Sequence, residues 1–175
     1  MKKILTIGGS NSKASINKKL AELAGTLSKQ EVHNIDLNDF EMPLYGMDHE
    51  IAHGIPAKAT EFLALIENCE GIIISLAEHN GAYSTAFKNI YDWVSRLNNK
   101  LWSDKPMLLM ATSPGGRGGL SVLEIAADRF PRMGANVVAN FSLPSFGQNY
   151  ADNGLIDERL NTEFQKAIKT FVEAI

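Results

Sequence analysis

Gly71-Ile72-Ile73-Ile74-Ser75-Leu76 is a continuous apolar run rich in β-branched residues. A strand with one wet face alternates apolar and polar side chains. An unbroken run instead predicts a strand buried on both faces, as in a parallel sheet covered by helices. The rest of the chain fits that frame. Lys3–Gly8, Val32–Leu37, Met107–Thr112 and Asn136–Phe141 read as further strands, the second weakened by polar interruptions. Amphipathic segments alternate with them. Ile16–Ser28 carries Leu20, Leu23, Ala24 and Leu27 three and four apart. Helices also read over Pro56 to about Asn68, Ser84 to about Leu97, about Leu120 to Met133, and Asp157–Ile175. Asn38–Ile55, rich in turn formers, reads as a long loop. Strand-helix alternation without repeat or linker predicts one doubly wound α/β domain over residues 1–175.

At 175 residues the chain has room for one sizeable core. A net charge of −3 provides no footprint for nucleic acid or for an anionic membrane surface. The single cysteine, Cys69, excludes an internal disulfide and a cysteine-based zinc site. His33, His49 and His53 show no ligand pattern, so no metal is expected. The apolar stretch after Lys2-Lys3 is too short for a secretory signal, and none approaches the roughly 20 residues that span a bilayer. A cytoplasmic protein with no membrane insertion is the expectation.

In doubly wound sheets, ligands bind beyond the carboxyl ends of the strands. Three loops lie there. Gly9–Ser15, after the first strand, crowds Ser10, Ser12, Ser15 and Asn17 around a helix start, where free N–H groups and the helix dipole favour an anion such as a phosphate monoester. Ser15 also reads as a helix cap. Ala77–Ser84, after the third strand, contains Glu78-His79-Asn80-Gly81, which reads equally as a turn and as the edge of a site for a flat heterocycle. Ser113-Pro114-Gly115-Gly116-Arg117-Gly118-Gly119, after the fourth strand, has a glycine density that suits a ring lying flat on backbone, with the next helix N-terminus favouring negative charge on it. Arg117 reads equally as a phosphate contact and as a solvated side chain. The third glycine of a dinucleotide fingerprint is missing from the first loop, and no Walker loop or Gly-x-Ser-x-Gly elbow is present.

Together these motifs resemble the NADPH-dependent FMN reductase family of the flavodoxin-like superfamily, up to about Ser145. Gly9, Ser10, Ser15 and Asn17 match its Gly-Ser-x-Arg-x-x-Ser-x-Asn phosphate loop, with Ser12 in the arginine's place and Lys13 beside it. Glu78, Asn80 and Gly81 match its Pro-Glu-Tyr-Asn-Gly-Ser ring loop, with Ala77 for proline and His79 for tyrosine. Lys88-Asn89-Ile90-Tyr91-Asp92-Trp93 matches Lys-Asn-x-x-Asp-Trp.

The resemblance implies a three-layer flavodoxin-like sandwich with a five-stranded parallel sheet in the order 2-1-3-4-5. It also implies an oxidoreductase that moves two electrons from NADPH or NADH through FMN to a small acceptor: a flavin, quinone, azo compound or metal oxyanion. Ser10, Ser12, Ser15, Ile16 and Asn17 would hold the phosphate. Glu78, His79, Asn80 and Gly81 would hold the ring edge, with Ser113, Gly115 and Gly116 nearby. The flavin carries the chemistry, so no catalytic side chain is required. His79 is a candidate proton donor that more simply fills the tyrosine's place. The apolar face of Tyr91, Trp93, Val94 and Leu97 reads mostly as core. In the family the same region supports an oligomer, so a homodimer or homotetramer is implied, with Arg96 a candidate contact across it. The rival expectations are a non-enzymatic flavodoxin-like electron carrier, against which the absence of an acidic face counts, and a flavin-free regulatory or binding protein.

Overall fold

The computed structural model describes residues 1–175. In chain order the first half comprises β1 (Lys3–Gly9), α1 (Ile16–Ser28), β2 (Glu31–Ile35), a 3-10 turn (Leu37–Phe40), α2 (Met47–His53), α3 (Ala57–Glu67) and β3 (Gly71–His79). The second half comprises β4 (Ala82–Tyr83), α4 (Thr85–Leu97), β5 (Pro106–Thr112), α5 (Leu120–Arg132), β6 (Asn136–Leu143), α6 (Phe146–Asn149), the short pair β7 (Tyr150–Ala151) and β8 (Gly154–Leu155), and α7 (Glu158–Ala174). Five strands pair in parallel in the order β2-β1-β3-β5-β6, and β4 folds back antiparallel on the end of β3. This is the flavodoxin-like α/β fold, with the expected order of its five parallel strands. The order reverses between β1 and β3, which places a ligand crevice at their carboxyl ends.

The apolar run that predicted a doubly buried strand divides its side chains between two cores. Ile72, Ile74 and Leu76 join Phe62 and Ile66 of α3, Phe87 and Trp93 of α4 and Phe130 of α5. Ile73 joins Leu20 and Ala24 of α1 and Phe164 and Phe171 of α7 on the opposite face. At Gly8 a Cβ would stand 2.5 Å from the Lys18 Cα, so α1 presses directly on the end of β1. No helix is long and apolar enough to cross a membrane.

Three local expectations change. β2 stops at Ile35 rather than Leu37, because the Asp36 carboxylate accepts the Asn38 N–H and starts the 3-10 turn. The expected loop Asn38–Ile55 contains that turn and α2. β3 extends past Leu76 to His79, because Asn80 (φ 52°) and Gly81 (φ 78°) form the two-residue turn of a hairpin pairing His79 with Ala82.

Candidate functional site

The loops after β1, β3 and β5 lie side by side at the strand-order reversal. After β1, Ser15 caps α1: its buried Oγ accepts the Lys18 N–H at 3.1 Å, leaving its own hydroxyl hydrogen to donate. Ser10 Oγ accepts the Ser12 N–H at 3.1 Å and keeps the loop turned. Asn11, Ser12 and Lys13 face solvent, and Ile16 packs its side chain on the α1–α7 core while its backbone opens the helix. The first turn of α1 contains no acidic residue, so its positive end is uncompensated from within. The neighbouring Asp36 is already engaged. Lys18 Nζ lies 2.6 Å from its carboxylate, and this hydrogen bond holds the Asp36 carboxyl down at about 2.

Of the polar side chains expected at a phosphate, that of Asn17 is the one the structure commits wholly elsewhere. Its Nδ2 donates to the Thr112 carbonyl at 3.1 Å, and its Oδ1 accepts the Thr112 N–H at 3.0 Å and the Ser75 hydroxyl at 2.7 Å. Buried beneath the loop, it ties α1 to β3 and β5. A carboxamide suits this task because it donates and accepts in one plane, matching both polar groups of one peptide.

The hairpin after β3 divides the four expected ring-edge residues. His79 is exposed, and Asn80 and Gly81 form the turn tip, where a Cβ on Gly81 would meet nothing within 4 Å. Glu78 points the other way. Its Oε2 accepts the Val122 N–H, in the first turn of α5, at 3.1 Å. The α5 cap position, Gly119, has no side chain to offer, so the carboxylate of Glu78 serves as the cap. Ser84 anchors the hairpin's far end, donating to the Gly9 carbonyl at 2.7 Å and accepting the Phe87 N–H at 3.2 Å. Tyr83 stacks on Phe130, with ring centroids 6.1 Å apart, and burial pushes its phenol up.

The third loop contains two kinds of glycine. Gly118 and Gly119 are buried and left-handed (φ 60° and 73°), and a Cβ on Gly118 would lie 2.4 Å from Ser142 Oγ. Those two serve the fold. Gly115 and Gly116 face open space: the nearest atom to an added Cβ at Gly115 is Ser113 Oγ at 4.0 Å, and Gly116 meets nothing within 4 Å. The bend is pinned from below, where Ser145 and Phe146 donate their N–H groups to the Gly115 and Ser113 carbonyls at 2.9 and 3.1 Å.

Beside this row of loops lies a cleft of about 330 Å³ that the sequence did not reveal. Leu37, Phe40, Met42, Leu44 and Ile90 wall it, and Asn11, Asn38, His79 and Thr85 border it. Its outer wall stands because Asn89 and Trp93 clamp it. Asn89 donates to the Met42 and Pro43 carbonyls, both at 3.1 Å, and accepts the Tyr45 N–H at 2.8 Å; Trp93 Nε1 donates to the Pro43 carbonyl at 2.7 Å. The Lys-Asn-x-x-Asp-Trp motif was the available signal, and its chemistry proves to be bracing. Arg96, expected to reach a second subunit, pairs with Glu50 of its own chain at 2.9 Å.

FMN fits these residues: an uncompensated helix start ringed by hydroxyls suits its phosphate, and open glycine backbone across the switch point suits its ring. Comparison with known proteins agrees. The profile of the family described as NADPH-dependent FMN reductase matches residues 2–148. A quinone reductase of Escherichia coli (strain K12) is 28% identical over 168 residues, covering 88% of this chain and 87% of the relative. An NADPH:quinone oxidoreductase of Arabidopsis thaliana is 30% identical over 122 residues, covering 68% of this chain and 62% of its own. Among solved structures, FerB, a flavoenzyme NAD(P)H:(acceptor) oxidoreductase from Paracoccus denitrificans, superposes with a TM-score of 0.77 at 23% identity, covering 99% of this chain and 97% of FerB.

Proposed function

From the premise that this chain belongs to the NADPH-dependent FMN reductase family, and is therefore an FMN oxidoreductase driven by NAD(P)H, we propose that its acceptor is a quinone. Bound FMN would supply the two-electron hydride chemistry that links NAD(P)H to a second substrate. The chain's residues have to hold it, orient it and admit the acceptor.

One observation carries the choice of acceptor. The cleft beside His79 is walled by Leu37, Phe40, Met42, Leu44 and Ile90, and no lysine or arginine lines it. Its acidic member is Glu41. A flat, uncharged ring with oxygen atoms at its edge suits such walls, and the Asn11 amide and Thr85 hydroxyl offer donors for those oxygens. A metal oxyanion would enter with no cation to meet it, at a large desolvation cost. The curated relatives named as quinone reductases support the same choice.

In this proposal the phosphate sits on the amides and hydroxyls of Ser10, Ser12, Ser15 and Ile16, with Lys13 supplying the charge that the family's arginine would bring. Asn17 supports that loop from below. The ring lies against backbone of Asn80, Gly81, Ser113, Gly115 and Gly116. His79 fills the place of the family's tyrosine at the mouth of the cleft and moves no proton. A homodimer or homotetramer completes the proposal, supported by Leu44, Met47 and Ile51, which are 74, 66 and 78% exposed along one short stretch.

Steady-state turnover with NADPH tests the acceptor. A benzoquinone should exceed chromate by more than about tenfold in kcat/KM, equivalent to ~1.4 kcal/mol of transition-state discrimination. Equal efficiency with both would contradict the proposal.

A further inference from the structure

We propose that Glu78 is a positioning residue that locks the ring-edge hairpin to α5 and, with its carboxylate, neutralises the positive end of that helix. The α5 helix starts immediately after the Ser113–Gly119 loop, so its free N–H groups and dipole would favour negative charge on a ring resting there. Helix α5 contains no acid in its own first turn and no side-chain cap. The only carboxylate bonded to that end comes from 44 residues away, at 3.1 Å from Val122 N. A helix end capped by a neutral serine, as at α1, keeps its field; one capped by a carboxylate largely loses it.

The tether has a second strand. Tyr83, paired directly across from Glu78 in the hairpin, stacks on Phe130 of α5 with an interplanar angle of 9°. Hairpin and helix are therefore joined at both ends of one face. The hairpin tip, Asn80-Gly81, and the Gly115-Gly116 bend flank the same crevice, so this joint fixes the distance between the two loops that would enclose the ring.

The two roles separate on substitution. Glu78→Gln keeps an oxygen to accept the Val122 N–H but removes the charge. Glu78→Ala removes both. The tether is tested on the protein without flavin, by amide hydrogen exchange. In Glu78→Ala the Val122 amide and the amides of His79 and Ala82, which pair across the hairpin, should exchange at least about tenfold faster, and in Glu78→Gln within about threefold of the unsubstituted protein. The charge role rests on the FMN assignment and is tested on the loaded protein. Removing a negative charge near the ring makes its reduction more favourable, so Glu78→Gln should raise the flavin midpoint potential. A threefold shift in the equilibrium corresponds to ~14 mV for a two-electron couple. FMN affinity should stay within about threefold in Glu78→Gln and weaken by at least about tenfold in Glu78→Ala.

Unchanged exchange in Glu78→Ala would overturn the tether. A Glu78→Gln variant with an unmoved flavin potential would overturn the neutralising role, and one that weakens FMN as much as Glu78→Ala does would place the carboxylate on the ring itself rather than on the helix end. The exchange measurement needs no cofactor, so a failure of the FMN assignment would show separately, as an unsubstituted protein that binds no flavin.

Discussion

Helices α1 and α5 start at the same edge of the sheet, each after a loop rich in small residues, yet their N-termini are prepared for opposite purposes. At α1 the cap is the neutral Ser15 hydroxyl, and the nearby Asp36 is drawn aside by Lys18. At α5 the cap is a carboxylate brought in from β3. The glycines differ in the same way. Gly118 and Gly119 adopt left-handed backbone against β6 and β5, whereas Gly115 and Gly116 leave room above them. Sequence composition marks both loops as ligand-like. What an added Cβ would meet, and what already sits on the helix end, shows which parts remain available to a ligand.

The sharpest way to break this contrast is beneath α1. Asn17→Ala removes three hydrogen bonds at once and strands the polar groups of Thr112, so it should cost about 3 kcal/mol in urea-induced unfolding. A loss below about 1 kcal/mol would mean that α1 is held by packing alone. The two glycine classes should respond oppositely. Gly118→Ala, at positive φ and against Ser142, should cost about 2 kcal/mol. Gly116→Ala should leave stability within about 0.5 kcal/mol while weakening FMN binding in a fluorescence titration. Ser15→Ala should cost about 1 kcal/mol as a lost cap and weaken FMN but not riboflavin, since only FMN has the phosphate.

The smallest effect is at Asp36. Its carboxyl is depressed in the folded protein, so the Asp36–Lys18 pair contributes stability above about pH 4 and loses it as pH falls through about 2. The pair is about one-third exposed, which limits the contribution to under about 1 kcal/mol. Asp36→Asn should therefore lower the thermal midpoint slightly at pH 7 and progressively less as pH falls through about 2, and equal effects at pH 7 and below pH 2 would remove the ion pair from the explanation.

Much of the fold was legible because its signals are local. The run Gly71–Leu76 announced a doubly buried strand, and the period of Leu20, Leu23, Ala24 and Leu27 announced a helix with one apolar face. The β3–β4 hairpin was half visible, since Asn80-Gly81 is a strong turn pair but strands of two residues have no periodicity. Long-range partnerships were not legible. Nothing in the spacing of Asn17, Ser75 and Thr112 says that they meet, and Glu78 looked like a ring contact because its partner lies in another element. The cleft went unseen for the same reason: its outer wall, Met42–Tyr45, is built by Asn89 and Trp93 from far along the chain.

The most direct test is the visible absorption spectrum of the desalted protein after mixing with FMN, recorded before and after anaerobic NADPH. A flavin band that stays with the protein and bleaches on adding NADPH is the predicted result. A protein that retains no FMN, or retains it without bleaching, would contradict the assignment of the α1 end and the Gly115-Gly116 bend to a working flavin.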